Sequence, residues 1–482
     1  MLEIVSHQYL KKFIKSHQTD WNHIYSFGRI ISKCLQNNQT YLINSEIFYS
    51  NIWIPPLLIS LFLSEENSTF VLSKENIVGI KKNHLEDLKN LGFQFILEND
   101  QIIFSTHRVF LITFENFLSD SNISKFSNHR IIFSGVENIK EDLKNHFRIS
   151  LLKKHWFHNP DKKLFASQRI ISEYNSLKKK YFLKKVLDND HIFLDSKELN
   201  HLSNFFNKYA SFSVQFQRVS YALSEDWACW VKLDNINFEW KLFLEPLDEL
   251  SQIRKLLSNN KFVFLSALRK DNFYEEYLKK KNIKLDLVIN FKSNFNEKKI
   301  LLYVPPRQML PNNPLFTQII SDKCNKLVIF SNRFILILSD DVNLKIHLAT
   351  ELASKHGKRV LLETIPSDNN QILCSSYNWW IKNSHKVRSP EQIIIPLLPI
   401  PDMKEPINGI NVSHYKKLAK DWFRGFLLPE AMEKLEKSVS PLRRNSGKLI
   451  ILDGRAKKRR WGRSILKSIE PSKQIDYMLP FD

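Results

Sequence analysis

The sequence predicts an α/β protein built on parallel sheets, with two domains and a helical insertion in the first. Three observations predict this. Short apolar runs alternate with helical stretches over residues 1–145, and again over 293–482. Strands that alternate with helices imply βαβ units and mainly parallel sheets. Between these regions, 146–214 is rich in helical pattern and poor in strand signals. The length of 482 residues suits two or three domains, at about 100–200 residues each.

The elements follow in order. Strands are expected at 41–43, 70–72, 93–96, 109–112 and 130–133, with a helix at 84–91. The insertion, 146–214, carries expected helices at 177–186 and 198–212. Alternating residues 227–233 and 238–244 flank Asp234-Asn235-Ile236-Asn237 and read as a hairpin. With a helix at 247–257 and a strand at 262–265, residues 215–292 complete the first domain. In the second domain, 293–482, strands are expected at 300–304, 326–330, 334–338, 359–362, 393–395 and 449–452. A helix over 342–356 stops at Gly357. The prolines at 305, 306, 311 and 314 mark irregular chain.

A net charge of +21 suggests nucleic acid or an anionic membrane surface as partner. A composition biased toward Lys, Asn, Ile and Phe is the competing account. Cys34, Cys229, Cys324 and Cys374 are widely spaced and form no CxxC, so neither a zinc ribbon nor a disulfide framework is indicated. His155 and His158 have no third ligand nearby in sequence, and no metal site is expected. The N-terminus lacks the pattern of a signal peptide. The most apolar run, 52–63, contains Pro55 and Pro56 and is shorter than the about 20 residues of a membrane span. A cytoplasmic protein without a membrane partner is the expectation.

A phosphate loop needs glycines, so that backbone N–H groups can wrap phosphates, and a lysine to reach the terminal ones. The chain has ten glycines, and none lies between Gly28 and Gly79. Gly357-Lys358 and Gly447-Lys448 follow helices and lead into strands, the reverse of the required order.

The C-terminal region is more informative. Residues 428–444 read as a helix that delivers Arg443 and Arg444, followed by a tight turn, an apolar strand at 449–452 and Asp453-Gly454-Arg455. This order resembles the last motif of the DinG/XPD-like branch of superfamily 2 DNA helicases. Leu398-Pro399-Ile400-Pro401, closing with Pro406, resembles the family's LPF-x-x-P. Leu428-Pro429-Glu430-Ala431 resembles its LPxA helix start, and Asp453-x-Arg455 to Trp461-Gly462 its closing D-x-R…YG. The segment Cys374 to Trp380 resembles the surroundings of S-F-W-E-G, and Leu265-Ser266-Ala267-Leu268 resembles S-A-T-L. Leu302-Tyr303-Val304-Pro305 also fits. The resemblance implies two RecA-like domains, ATP and Mg2+ as cofactors, and ATP-driven unwinding of single-stranded or forked DNA bound across the domains. It makes Arg444 a cleft arginine that meets the nucleotide.

The chain departs from the family where chemistry is done. Leu42 to Ser50 occupies the place of the phosphate loop. Tyr49 falls near the expected lysine, and Ser50 alone matches the magnesium-binding hydroxyl. Ser134-Gly135-Val136-Glu137 occupies the place of the DEAH box, where Glu137 reads as a solvated helix-start carboxylate. Pro441 replaces the first arginine of the last motif. The iron–sulfur cluster common in the family needs four thiolates. No cysteine lies between Cys34 and Cys229, so no cluster is expected. DNA contact is expected from Lys457, Lys458, Arg459, Arg460 and Arg463, whose cations would release counterions, with Trp461 stacking on a base. The pairs Trp379-Trp380 and Trp227…Trp230 could stack likewise, though buried packing is the default. Three functions stay open. They are an active helicase with diverged motifs, an inactive relative acting as a DNA- or protein-binding module, and an unrelated α/β enzyme such as a nucleotide-sugar transferase.

Overall fold

The computed structural model describes residues 2–16, 23–37, 39–49, 51–119, 125–126, 128–157, 164–184, 190–254, 260, 262–267, 275, 278–279, 281–291, 299–329, 331, 333–444 and 447–477. Ser50, His158 and Leu268 lie outside the described residues. The chain divides into two compact units. One is Met1–Lys292 with Met403–His414, and the other is Ser293–Asp402 with Tyr415–Asp482.

The first unit is built on an eight-stranded sheet. In chain order its first six strands are β1 (Tyr41–Asn44), β2 (Ser68–Leu72), β3 (Ile96–Glu98), β4 (Gln101–Ile103), β5 (Arg108–Thr113) and β6 (Arg130–Ser134). An inserted sheet follows, with β7 (Ile149–Leu151), β8 (His191–Phe193), β9 (Trp227–Asp234) and β10 (Glu239–Pro246). The chain then returns to the large sheet with β11 (Phe262–Ser266) and β12 (Leu287–Asn290). The large sheet runs β12-β1-β11-β6-β2-β5-β4-β3, parallel except for the β3–β4–β5 meander. Both faces are covered, so its central strands are apolar throughout rather than alternating. Ile43, Phe70 and Leu265 pack on one face against helices Leu2–Ser16, Ile24–Gln36 and Ile54–Phe62. Leu42, Val71 and Phe264 pack on the other.

The insertion is not purely helical. Its helices Lys153–Phe157, Leu164–Leu183, Ser196–Lys208 and Val214–Ser224 accompany an antiparallel sheet of order β7-β10-β9-β8. The hairpin foreseen at 227–244 supplies its two longest strands, paired from Trp227↔Pro246 to Asp234↔Glu239. It therefore belongs to the inserted sheet and does not extend the parallel one. Trp156, Tyr174, Tyr181 and Trp240 form an aromatic core in this sheet-and-helix layer. Trp230 is buried and stacks on Phe243.

The second unit carries a seven-stranded sheet. Its strands are β13 (Ile300–Tyr303), β14 (Ile335–Leu338), β15 (Val360–Leu362), β16 (Ile372–Ser375), β17 (Gln392–Ile395), β18 (Lys448–Ile451) and β19 (Ser472–Ile475). All pairs are parallel, in the order β15-β16-β14-β17-β18-β13-β19. The helix Val342–His356 ends at Gly357 as foreseen. Residues 326–329 of the strand foreseen at 326–330 are instead part of helix Phe316–Ile329, and Phe330 lies outside the described residues. Its apolar run reads as a strand in isolation. The longer spacing Phe316, Ile320, Cys324 and Leu327 is helical, and those four side chains lie on the buried face.

Two parallel sheets of this kind with an antiparallel insertion make an α/β protein of two RecA-like units. All four cysteines are free and buried. Burial pushes their thiols up, to about 12 for Cys34 and Cys374. The thiolate is the reactive form, so titration of the native protein with a thiol reagent at pH 8 should release almost no signal within minutes. Denaturant should expose four equivalents. Rapid reaction of one thiol in the native protein would contradict this burial.

Candidate nucleic-acid interface and the closed phosphate site

In parallel α/β sheets a ligand sits beyond the carboxyl ends of the strands, often at a helix N-terminus whose free N–H groups hold phosphate. In the first unit these groups are already used. Beyond β1 the chain makes a short 3-10 turn, Glu46–Tyr49, and then enters helix Ile54–Phe62. Pro55 and Pro56 stand in the first turn of that helix and have no N–H. The Ile54 N–H donates to Asn51 O and the Leu57 N–H to Trp53 O. Every residue of the helix is buried, and Trp53 before it is too. Among the described residues, the start of this helix offers no free donor to a phosphate. The side chains of Glu46 and Tyr49 are not among those described.

The neighbouring strand ends bond to one another. The Ser45 N–H donates to Ser266 O at 2.9 Å, and the Gly135 N–H to Leu265 O at 3.1 Å. Asn44 Nδ2 donates to Asn290 Oδ1 at 2.8 Å. Gly135, with φ of 74°, turns the chain into a 3-10 turn that carries Glu137 inward. Glu137 is not the solvated carboxylate foreseen. It is 6 % exposed and accepts the Ala267 N–H at Oε2, at 3.1 Å. That bond ties the DEAH-like place to the S-A-L segment, and it explains the acid as an internal acceptor.

The second unit shows the same self-satisfaction. At the carboxyl ends of β14 and β15, three carboxylates accept N–H groups at helix starts. Asp341 takes Leu344 N–H at 2.9 Å, Asp340 takes Tyr377 N–H at 3.1 Å, and Glu363 takes Ser376 N–H at 3.0 Å. Glu363 also bonds Ser376 Oγ and pairs with Lys345 at 2.7 Å, while Asp340 pairs with Lys434 at 3.0 Å. Burial opposes the charge on Glu363, but Lys345 and Ser376 outweigh it and hold the carboxyl at about 2. These carboxylates occupy helix-start donors of the kind that hold phosphates.

The closing motif is a clamp. Asp453 is fully buried and accepts the Leu398 N–H at 2.9 Å. It also takes the Arg455 N–H and two guanidinium nitrogens of Arg455, the nearest contact at 2.7 Å. The D-x-R and L-P-x-P segments, 55 residues apart, are thus one structure. Tyr377 and Trp380 are core residues. The Trp380 indole donates to Ser438 O at 2.9 Å and the Tyr377 hydroxyl to Leu397 O at 3.2 Å. Arg443 donates to the carbonyls of Ile469, Glu470 and Pro471, at 2.9–3.2 Å. It serves the C-terminal end of helix Gly462–Ser468, where cations are favoured. Arg444 lies in the 3-10 turn Ser440–Arg444, and its side chain is not among those described.

The foreseen cations are open. Lys457, Lys458, Arg459, Arg460 and Arg463 are exposed, and none has a carboxylate partner among the described residues. They flank a turn that only glycine permits. A Cβ at Gly462 would lie 2.1 Å from Ala456 O. Trp461 is half-buried against Phe423, with ring centres 5.3 Å apart. That contact adds a segment the sequence reading passed over. Lys416, Lys417, Lys420 and Arg424 are exposed, with Tyr415, Trp422 and Phe426 half-buried among them. Lys416 lies 5.6 Å from the Trp422 ring centre. The pairing of aromatic residues with lysines in 415–426 was a signal available in the sequence.

Two outcomes test this geometry. Asp453→Ala should lower stability by about 3–5 kcal/mol, since it strands a charged partner beside a buried site. Denaturant unfolding reads it, and a loss near zero would contradict the clamp. Glu363 is held below its ordinary value, so its stabilisation is present above about pH 4.5 and is lost as pH falls toward 2. The stability gap between the protein and Glu363→Gln should therefore shrink across that window. A gap that grew on acidification would reverse the assigned sign.

No family model and no curated protein matches the chain. Solved structures do. An XPD helicase matches with a TM-score of 0.61 at 12% identity, over 95% of this chain and 100% of that one. An apo XPD structure gives 0.59 at 13%, over 94% and 100%. Xpd4 of S. tokodaii gives 0.60 at 13%, over 94% and 99%. The chain has the fold of the XPD-like helicases.

Proposed function

We propose that this chain is a non-hydrolysing relative of the XPD-like helicases that binds DNA, single-stranded or forked. The observation that carries the reading is the cationic, aromatic-lined face formed by 455–463 and 415–426 of the second unit. Apart from Arg424, which pairs with Asp421 at 3.8 Å, and Arg455, which is held by Asp453, the cations there can neutralise phosphates without first giving up an internal carboxylate. Each such neutralisation releases counterions. The nearby aromatic residues can stack on bases.

Unwinding driven by ATP needs a phosphate cradle, a bound metal and a positioned water. The helix that follows the place of the cradle, Ile54–Phe62, starts with Pro55 and Pro56 and is buried throughout. Among the described residues, no helix is long and apolar enough to cross a membrane.

Fluorescence anisotropy with a labelled single strand tests the binding. The logarithm of affinity should fall with the logarithm of salt, by about 0.7 per phosphate engaged. Reversing Arg459 and Arg460 to Glu should weaken binding by at least about tenfold, as the loss of two phosphate contacts requires. Salt-insensitive binding, or none, would sink the proposal. A second arm measures phosphate release from Mg·ATP with saturating DNA. Release above the blank would overturn the non-hydrolysing half alone.

A further inference from the structure

A groove along β5 of the first unit has no part in the proposed DNA site. It has two chambers that meet at Phe110 and Lys125. The first, about 440 Å³, is bounded by Arg108, Lys125, His129, Thr106 and Phe104. The second, about 210 Å³, lies toward the end of β5 and presents Asn99, Gln101 and Thr113. Arg108, Phe110 and Ile112 alternate along the strand, so they share one face. The first volume falls within the about 300–1,000 Å³ of natural small-molecule sites, and the second extends it.

The chambers differ in chemistry. In the first, neither the Arg108 guanidinium nor the Lys125 ammonium has a carboxylate partner among the described residues. Lys125 is held in place by ring faces, 4.8 Å from the centre of Phe110 and 5.6 Å from that of Phe126. The backbone under Arg108 is pinned, since its N–H donates to Asn67 Oδ1 at 2.9 Å. His129 is fixed by Thr69 Oγ1 at 2.9 Å. Phe104 lies flat on His107, with ring centres 4.5 Å apart and planes within 3°, and forms a planar wall. In the second chamber Asp100 is engaged by Lys81, and the amides of Asn99 and Gln101 line it together with Thr113 and Asn116.

We infer that this groove binds a phosphate monoester carried on a flat, uncharged, hydrogen-bonding head, namely a nucleoside monophosphate. The cations of the first chamber take the phosphate. The ring wall takes the base or ribose, and the amides of the second chamber take the far polar edge. The phosphate could belong to a free mononucleotide or to the 5′ end of a strand. The groove follows β5, so it is separate from the β1 site that lost its cradle.

Calorimetric titration of the full chain with AMP, GMP, CMP, UMP and inorganic phosphate tests the inference. At least one mononucleotide should bind, with inorganic phosphate tenfold or more weaker. Lys125→Glu and Arg108→Glu should each raise the mononucleotide Kd at least tenfold. Both side chains are exposed, so circular dichroism should show the variants folded. Gln101→Leu should weaken the mononucleotide and spare inorganic phosphate. In the chain with Arg459 and Arg460 reversed to Glu, a 5′-phosphorylated hexanucleotide binding at least tenfold more tightly than its 5′-hydroxyl form, with the same dependence on Lys125, assigns the ligand to strand ends. Binding of mononucleotide without this difference assigns it to free nucleotide. Reversing Arg459 and Arg460 should leave mononucleotide binding unchanged, which separates this site from the DNA face. No binding of any probe at millimolar concentration would overturn the inference. So would binding that ignores Lys125 and Arg108.

Discussion

The hydrogen bonds at the carboxyl ends of β1, β6 and β11 constrain everything else in the first unit. A ligand-binding edge has to keep donors unsatisfied until the ligand arrives, and buried donors left unsatisfied are costly. Here the cost is removed internally. Two prolines delete N–H groups at the start of helix Ile54–Phe62, and the next residues bond back to the chain. Ser45, Gly135 and Ala267 donate to Ser266, Leu265 and Glu137. That arrangement lets the helix be buried on all sides, between the sheet and helices Leu2–Ser16 and Ile24–Gln36. The first unit needs no nucleotide to complete its core.

The second unit reaches the same state by another chemistry. Carboxylates of Asp340, Asp341 and Glu363 occupy helix-start donors that a bound anion would otherwise meet. Asp453 locks its own arginine and the Leu398 backbone, and Arg443 is spent on three carbonyls. Helicase-like signatures can thus persist in a sequence as structural fasteners. Lys457, Lys458, Arg459, Arg460 and Arg463, with Lys416, Lys417 and Lys420, are exposed and have no carboxylate partner among the described residues, and the proposed function rests on them.

Much of this was legible in the sequence. The parallel strands were visible as short apolar runs, because both sheet faces are covered. The helix Val342–His356 was visible from its period and its stop. The run at 326–330 misled because four apolar residues in a row carry no period of their own. The hairpin of the inserted sheet was visible, but the sheet itself was hidden because its other strands, β7 and β8, are only three residues each. At the site, the loss of the phosphate loop was visible as missing glycine. The inward path of Glu137 was not, since it depends on the left-handed turn at Gly135 and on a donor 130 residues away. Segment 415–426 joins the cationic face through the Phe423–Trp461 contact, which no local pattern shows.

The account stands or falls on whether the place beyond β1 is closed. Hydrogen–deuterium exchange of the full chain, with and without saturating Mg·ATP, reads it at the amides of 44–57. Exchange in this stretch should be the same in both conditions. Strong ATP-dependent protection there would mean that the donors are available to a phosphate, and would contradict the account.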